Sequence, residues 1–312
     1  MADNKESTTG MTAGTPEGSD QLTRFLLDRA GVRGVRVHLA DSWAQVRARG
    51  DYPPTVSEIL GEATAAAALL TGHVKVDGRL SVQLRGQGRL RTLFAECTAA
   101  GTVRGIARLA EGDPTPVPRD LRQLGPDAML AITIENRGLS GREPVRYQGI
   151  VALEDEALAP AFEQYFRQSE QLPTRLLLAA DDDRAAGLML QKLPGDEGDD
   201  DGWNRASLLF DTLRPDELLQ WPTGTLLGRL FPEEDVRLLG DQPLHFACSC
   251  SRERVAAMLE SLGTEEARAA VIDGSAGVHC EFCGQAYSFT SGEIEALFSR
   301  SAPGTPAPGG LQ

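Results

Sequence analysis

Four cysteines near the C-terminal end of the chain stand in two close pairs, and this spacing limits the local fold more than any other feature. The pairs read Cys248-Ser249-Cys250 and Cys280-Glu281-Phe282-Cys283, with 29 residues between them. Two pairs of thiolates suit a tetrahedral Zn²⁺ ion, since each pair can place two sulfurs about 2.3 Å from one metal. Gly284 follows the second pair and permits a tight turn in which backbone N–H groups face the sulfurs. We therefore predict one bound Zn²⁺ in the reduced state, with ligands Cys248, Cys250, Cys280 and Cys283.

The sequence around the cysteines indicates a module that is too small to be stable without such a cross-link. Ser251 can cap a helix that ends at Gly263, a second helix starts at Thr264, and residues 285–289 alternate like a short strand. A module of fewer than about 60 residues with few large apolar side chains needs a cross-link, such as a bound metal ion, to be stable. Structural zinc contributes on the order of 10 kcal/mol in small modules, whereas whole domains are stable by only about 5 to 15 kcal/mol. Loss of the metal should therefore unfold the module.

The spacing alone leaves several uses of the four thiols open. They can form a purely structural zinc site, remain unmetallated, or form constitutive disulfides. The short separations also allow a disulfide within each pair, so the same sulfurs could alternate between a metal-bound and an oxidised state. His245 and His279 flank the pairs and could replace a ligand, but four thiolates already complete a tetrahedron.

The composition of the whole chain argues against several classes of partner. Its 31 basic and 45 acidic side chains give a formal charge of −14, which disfavours a sequence-independent grip on nucleic-acid phosphates. No apolar run approaches the roughly 18 residues of a membrane-spanning helix, and the polar N-terminus lacks the pattern of a secretory signal. We expect a cytoplasmic protein without membrane or nucleic-acid partners. In that reducing compartment, clustered cysteines are more often metal or redox groups than structural disulfides.

The length of 312 residues and three polar stretches predict more than one domain. Both chain ends are too poor in apolar residues to offset the entropy of ordering, and the acidic run from Gly195 to Gly202 favours extension. Three short helical segments follow that run, and because each is marginal alone, their apolar residues must lie against a neighbour. The predicted organisation is a disordered tail (1–19), an α+β core (20–194), a metastable helical linker (195–243), a zinc-binding module (244–300) and a second disordered tail (301–312).

Hydrophobic periodicity and turn residues predict that the core is α+β, with packed helices on an antiparallel sheet. A first short helix is predicted over residues 22–30, and a longer one begins at a capping box, Thr55-Val56-Ser57-Glu58. A further helix is predicted over residues 158–166. The predicted strands are 35–39, 79–85, 90–97, 102–109, 128–135, 146–153 and 175–180.

No other part of the sequence carries a recognisable active site. Phosphate-binding loops, nucleophile elbows and metalloprotease helices are absent from the sequence, and the acidic residues cluster in solvated runs. Cys97 ends a predicted strand, where a buried and unreactive thiol is the default. His38 and His73 are expected to be surface or hydrogen-bonded structural residues. We therefore expect that the protein is not an enzyme.

Two long runs and several shorter ones carry a resemblance to a known family. The long runs are Ser169-Glu170-Gln171-Leu172-Pro173-Thr174-Arg175 and Cys248-Ser249-Cys250-Ser251-Arg252-Glu253-Arg254-Val255. The shorter runs include Tyr52-Pro53-Pro54, Asp77-Gly78-Arg79-Leu80, Ala95-Glu96-Cys97, Tyr147-Gln148-Gly149-Ile150-Val151 and Cys280-Glu281-Phe282-Cys283. With these runs, the chain resembles the redox-regulated 33 kDa chaperonin family, a group of heat-shock holdases of the bacterial cytoplasm, from about Asp20 to Phe298.

The resemblance implies an ATP-independent chaperone that is zinc-bound and inactive when reduced. It further implies that oxidation forms the disulfides Cys248–Cys250 and Cys280–Cys283, releases zinc and unfolds the linker at about 195–244. The oxidised form is expected to be a homodimer that binds unfolding client proteins. Residues 112–119 and the long N-terminal tail depart from the family pattern, but neither contains a cysteine.

Two other functions remain open on sequence grounds. A zinc-ribbon adaptor for nucleic acid or a protein complex fits the cysteine spacing, although residues 244–300 contain four arginines and eight acidic residues, a net charge of −4. A thiol–disulfide oxidoreductase could use Cys280 and Cys283. Such a pair normally begins a helix, however, whereas a strand is predicted after Cys283.

Overall fold

The computed structural model describes residues 20–74, 76–136, 145–195 and 199–300, the last without the side chain of Arg300. The predicted disordered tails, 1–19 and 301–312, lie outside the described residues. Contacts within the chain separate it into two compact units, with the division between Phe246 and Ala247. The first unit contains two large sheets, and the second contains the four paired cysteines.

The first unit alternates short strands with helices, and the predicted α+β fold class is confirmed. Its elements are β1 (Gln21–Leu27), β2 (Val32–Leu39), α1 (Asp41–Arg47), α2 (Pro54–His73), β3 (Gly78–Arg85), β4 (Leu90–Thr98), β5 (Thr102–Leu109), a 3₁₀ turn (Leu121–Leu124), β6 (Met129–Asn136), β7 (Val145–Ala152), α3 (Leu158–Ser169), β8 (Thr174–Ala180), β9 (Ala185–Lys192), α4 (Gly202–Phe210), α5 (Pro215–Gln220), α6 (Thr223–Leu230), β10 (Val236–Pro243) and β11 (His245–Phe246).

These elements stack in four layers. Sheet A has the strand order β10-β1-β2-β9-β8 and sheet B the order β11-β5-β4-β3-β6-β7, with all pairings antiparallel except that of β11 with β5. Helix α2 lies between the two sheets, and one large apolar core joins the inner faces of both sheets to it. Helices α4–α6 cover the outer face of sheet A.

Helix α2 is buried along nearly its whole length because a sheet packs on each side of it. Its centre, residues 64–68, is fully buried and consists of one threonine and four alanines, whose small side chains let both sheets approach. A Cβ on Gly61 would lie only 2.4 Å from the Cβ of Ala180, so this contact requires glycine. The predicted capping box at Thr55 is wrong, since the N-cap is Pro53 and no side chain caps the helix.

Helices α4–α6, here called the cover, bury their apolar side chains against sheet A. We expected such packing from the sequence, because helices this short are only marginally stable on their own. The sheet contributes Phe25, Leu27, Val32, Ala186, Leu188 and Leu190, and the cover contributes Phe210, Leu218, Leu219, Leu226, Leu227 and Leu230. Strand β10, which follows the cover, pairs with β1 at the edge of sheet A. The cover therefore hides an apolar sheet face.

A buried arginine joins the cover to sheet A. Arg36 on β2 is only 3% exposed, and it donates to the carbonyl oxygens of Leu218, at 3.3 Å, and Trp221, and to Oγ1 of Thr223. These acceptors lie where α5 ends and α6 begins. Because α5 has no basic residue in its last turn, Arg36 supplies the cation that favours a helix C-terminus.

Several elements differ from the sequence-based prediction. The first predicted helix, residues 22–30, is wrong, because residues 21–27 form β1 between β2 and β10. Strand β1 is apolar on both faces, since one faces α2 and the other the cover, and this pattern imitates a short amphipathic helix. Helix α1 and strands β9 and β10 were not predicted.

The second unit is a small α/β arrangement with its own core. Its elements are α7 (Arg252–Leu262), α8 (Thr264–Ala269), β12 (Ser275–His279), β13 (Ala286–Thr290) and α9 (Ser291–Arg300). Strands β12 and β13 form an antiparallel hairpin. Among the described residues of this unit, six side chains form the buried core: Val255, Leu259, Ala267, Ala276, Phe289 and Ile294. A core of this size is consistent with a module that needs a cross-link.

Candidate metal centre

The four paired cysteines converge on one point of the second unit. Their Sγ atoms all lie within 4.8 Å of one another. The Sγ atoms of Cys248 and Cys280 are 3.6 Å apart, those of Cys250 and Cys283 are 3.3 Å apart, and none of the four forms a disulfide. A tetrahedral Zn²⁺ with Zn–S distances of about 2.3 Å needs sulfurs about 3.8 Å apart. The donor set and its spacing therefore fit a single zinc ion.

The first cysteine pair is positioned by the start of α7. Ser251 caps this helix, because its hydroxyl accepts a hydrogen bond from the backbone N–H of Arg254, as the sequence predicted. The guanidinium of Arg254 in turn donates to the carbonyl oxygen of Ser249, at 2.9 Å, between the two cysteines. Cys250 thus directly precedes a helix N-terminus, where the helix dipole favours a thiolate.

The second pair lies in the turn of the β12–β13 hairpin. The backbone N–H of Cys280 donates to the carbonyl oxygen of Gln285, and that of Gly284 donates to the carbonyl oxygen of Cys280, at 2.9 and 2.7 Å. Gly284 has a φ of 73°, which confirms the predicted glycine turn. The backbone N–H of Gln285 also lowers the pKa of Cys283, although burial outweighs this effect.

Hydrogen bonds concentrate negative charge on one of the sulfurs. Burial acts to raise the pKa of Cys250, but hydrogen bonds from Tyr287, at 3.1 Å, and from the neighbouring thiols lower it to about 7. Burial raises the pKa of Cys283 to about 12, and the hydrogen bond to Cys250 raises the pKa of Tyr287 to about 12. Cys250 therefore loses its proton more readily than Cys283, and its neighbours direct their protons toward it. A divalent cation would compete with those protons for the sulfurs.

The sequence of the chain matches known proteins over nearly its whole length. The sequence model of the Hsp33 protein family matches residues 20–290. The chain belongs to the Hsp33 family. The 33 kDa chaperonin of Ectopseudomonas mendocina is 44% identical over 297 residues, which cover 93% of this chain and 98% of the relative. The 33 kDa chaperonin of Azotobacter vinelandii is also 44% identical, over 92% of this chain and 97% of the relative.

A solved Hsp33 structure shares the fold. The crystal structure of the 33 kDa chaperonin of Thermotoga maritima superposes on this chain with a TM-score of 0.72. The superposition covers 91% of this chain and 99% of the solved chain, and the two sequences are 22% identical. The resemblance inferred from the sequence runs is therefore confirmed. Within the described part of the chain, no helix combines the length and apolar character that crossing a membrane requires.

The remaining candidate residues lie outside the cluster. Among the described residues, the cluster consists of the four cysteines alone, and neither His245 nor His279 belongs to it. Cys97 is buried on β4, and burial raises the pKa of its thiol to about 12, so its predicted lack of reactivity is consistent with the structure. Nε2 of His73 lies 3.1 Å from the guanidinium of Arg33, and the ring of His38 lies 3.2 Å from the carbonyl oxygen of Leu219. Both histidines are hydrogen-bonded structural residues.

Sequence reasoning missed Tyr287, whose hydroxyl donates to Sγ of Cys250 at 3.1 Å. Its place was implicit in the alternation of residues 285–289, because Tyr287 and Phe289 fall on the same side of the strand. The hairpin also bears on the oxidoreductase alternative. Cys283 is followed by a turn and β13 rather than by a helix, so this pair lacks the helix N-terminus that activates a redox thiol.

Proposed function

We propose that this protein is a redox-regulated, ATP-independent chaperone that prevents thermally unfolding and oxidatively damaged proteins from aggregating. The observation that carries the proposal is the cluster of four thiols in a member of the Hsp33 family. We further propose that the protein is cytoplasmic, binds unfolded client proteins without catalysing a reaction, and forms a homodimer when oxidised.

In the reduced state, Cys248, Cys250, Cys280 and Cys283 would hold one Zn²⁺ ion. Bound zinc would keep the four sulfurs as thiolates and tie the start of α7 to the β12–β13 hairpin. The capping hydrogen bond of Ser251 and the glycine turn at Gly284 already place the two pairs in register. Zinc binding would complete the folding of this small module, and its binding free energy would stabilise the folded state.

Oxidation would convert the four thiolates into two disulfides, Cys248–Cys250 and Cys280–Cys283. For each disulfide, two thiolates give two electrons to one molecule of hydrogen peroxide, and two protons complete the formation of two water molecules. The sulfurs would then carry no charge and could no longer hold Zn²⁺. The six-residue core of the second unit would be left without its cross-link.

Unfolding of the second unit would be transmitted to the cover through the chain that connects them. Only Ala247 separates β11 from Cys248, and β10 immediately precedes β11. In this proposal the segment 195–243 acts as the metastable linker: the cover leaves sheet A and exposes the apolar face that contains Phe25, Leu188 and Leu190. A contiguous apolar surface of this kind is what an unfolding client needs.

The proposal is tested by light scattering of a thermally unfolding client. We expect zinc-loaded, reduced protein to leave aggregation unchanged and peroxide-treated protein to suppress it. The matched control is Cys97→Ser, which removes the fifth thiol and should keep the complete switch. Equal activity of the reduced and oxidised forms would contradict the proposal.

The disulfide pairing is tested by tryptic mass spectrometry of the oxidised protein. Cleavage after Arg237, Arg252, Arg268 and Arg300 places each cysteine pair on its own peptide, 238–252 or 269–300. Pairing within each pair leaves two separate peptides, each lighter by two hydrogens. Pairing between the pairs would join the peptides and exclude the proposed disulfides.

A further inference from the structure

An arginine joins the segment after the first cysteine pair to the strand that follows the second pair. Arg252 is the first residue of α7, close behind Cys250. Its guanidinium donates to the carbonyl oxygen of Ser288 on β13, at 2.8 Å, and to Oε1 of Glu293 on α9, at 2.7 Å. The same guanidinium lies over the ring of Phe289, 4.2 Å from the ring centroid. We call these three contacts the Arg252 bridge.

The bridge closes the same loop of the chain that a shared metal ion would close. The two cysteine pairs are separated by 29 residues, and bringing the ends of such a loop together costs conformational entropy. Arg252 and Ser288 are 36 positions apart in the sequence, so their contact holds the two pairs near each other through side-chain and backbone bonds. Arg254 has a different role, because its bond to the carbonyl oxygen of Ser249 lies within the first pair.

The place of Arg252 on α7 argues against a role within the helix itself. A cation is unfavourable in the first turn of a helix, where the macrodipole is positive. Replacement of Arg252 by alanine removes this repulsion and introduces the residue with the highest helix propensity. A loss of zinc affinity in that variant would therefore come from the contacts with β13 and α9, since α7 by itself would not be weakened.

The bridge also differs from an ordinary ion pair on the surface. The side chains of Arg252 and Glu293 are 45% and 49% exposed, and an ion pair of this exposure contributes little by itself. Arg252 adds a hydrogen bond to a backbone carbonyl and a stacking contact with Phe289, which is buried. Glu293 is fixed by the backbone N–H and the hydroxyl of Thr290, at 2.9 and 3.1 Å. A planar guanidinium makes all these contacts at once, whereas the ammonium group of lysine does not.

We propose that Arg252 is a positioning residue for the metal centre, and that it raises both the zinc affinity and the amount of peroxide needed to release the metal. This inference rests on the proposed zinc site and redox function. Zinc binding is coupled to the folding of a small module, and the bridge favours the arrangement in which the two cysteine pairs face each other. A more tightly held metal shields the thiolates from peroxide, which takes two electrons from each pair and, with two protons, becomes two water molecules.

The test measures the zinc affinity of the full-length, reduced protein by competition with a chromogenic chelator. The test variant is Arg252→Ala, and Arg252→Lys keeps the charge without the planar group. The matched control is Arg268→Ala. The guanidinium of Arg268 is also half-exposed and makes two hydrogen bonds of 2.7 Å to Glu295, but it joins α8 to α9, and neither helix contains a cysteine. A second readout is the visible absorption of the Co²⁺-substituted protein, which depends on the geometry of the four sulfurs.

We expect Arg252→Ala to raise the zinc dissociation constant at least about tenfold, Arg252→Lys at least about threefold, and Arg268→Ala less than about threefold. The Co²⁺ absorption bands should change in Arg252→Ala and match those of wild type in Arg268→Ala. The peroxide concentration that releases half of the zinc should fall at least about threefold in Arg252→Ala. If Arg252→Ala does not fold even with excess zinc, Arg252→Lys carries the same comparison with the control.

Equal zinc dissociation constants for the Arg252 and Arg268 variants would overturn the positioning role, as would an unchanged Co²⁺ spectrum in Arg252→Ala. Either result would leave the zinc site and the chaperone function standing. A wild-type protein that binds no zinc would overturn the positioning role together with the metal centre. The peroxide-dependent suppression of aggregation is measured on wild type without any of these variants, so the chaperone function can fail independently.

Discussion

Replacement of Arg36 by alanine should release the cover without any oxidant. The guanidinium makes three hydrogen bonds to the α5–α6 junction, and a hydrogen bond to a charged group contributes about 1.5 to 3 kcal/mol. The three hydrogen bonds together contribute about 5 to 9 kcal/mol. Burial opposes this gain, because it lowers the pKa of Arg36 to about 10, which corresponds to a cost of about 3 kcal/mol. The net contribution to the closed cover is then about 2 to 6 kcal/mol, and a value near 3 kcal/mol means roughly a 100-fold larger open population.

Limited trypsin digestion of the reduced protein can measure this population. Arg205 and Arg229 lie inside α4 and α6, so cleavage after them requires those helices to open, and its rate follows the open fraction. We expect roughly 100-fold faster cleavage at both sites in Arg36→Ala. The control is Arg237→Ala, which removes an exposed arginine of β10 that pairs with Asp28. This change should alter the cleavage rate at Arg205 and Arg229 less than about fivefold.

Two results would refute this reasoning about Arg36. Unchanged cleavage at Arg205 and Arg229 would mean that the buried guanidinium contributes no net stability to the cover. Equally accelerated cleavage throughout the first unit would mean that the substitution unfolds the whole unit rather than lifting α4–α6.

Three further predictions concern the metal centre and the core. Substitution of serine for any one of Cys248, Cys250, Cys280 or Cys283 should abolish stoichiometric zinc binding in a colorimetric assay and remove the near-UV circular dichroism of the second unit. The control Cys97→Ser should retain both signals. Stoichiometric zinc binding by a single serine variant would contradict the four-thiolate site. Tyr287→Phe deletes the hydroxyl that donates to Cys250. Because bound zinc would already hold Cys250 as a thiolate, loss of this hydrogen bond should make the sulfur more basic and more nucleophilic, and should speed peroxide-driven zinc release about two- to fivefold. Unchanged or slower release would argue against this role. Burial raises the pKa of Glu62 to about 7, so its contribution to the free energy of unfolding is complete below the usual glutamate pKa and is lost as pH rises through 7, by at most about 3 kcal/mol. The melting temperature of Glu62→Gln should therefore fall less than that of wild type between pH 5 and 8, and parallel curves would exclude the effect.

The metal centre was more predictable from the sequence than the core was. Cysteine spacing, the Ser251 cap and the Gly284 turn are local signals, and each has a direct counterpart in the second unit. Tyr287 escaped prediction because its role depends on the three-dimensional proximity of its hydroxyl to Cys250, 37 residues away.

The first unit shows why local patterns failed in places. Strand β1 lies between two helical layers, so its apolar residues do not alternate, and the pattern imitated a helix. Strand β9 is buried on both faces and reads as a continuous apolar run, while β10 is largely exposed at the sheet edge and carries little apolar signal. Arg36 reads as an ordinary strand arginine, and only the packing of α5 and α6 on sheet A reveals its contacts.

Hydrogen exchange can compare the reduced, zinc-loaded protein with the peroxide-treated protein, element by element. We expect oxidation to remove protection from α7 and the β12–β13 hairpin and, with them, from the cover at residues 202–230, while α2 stays protected between the two sheets. The opposite result would be an oxidised protein that binds clients and has lost protection in the second unit, but whose cover remains fully protected. This result would contradict the proposed function, because the apolar face of sheet A would then stay hidden while the chaperone is active.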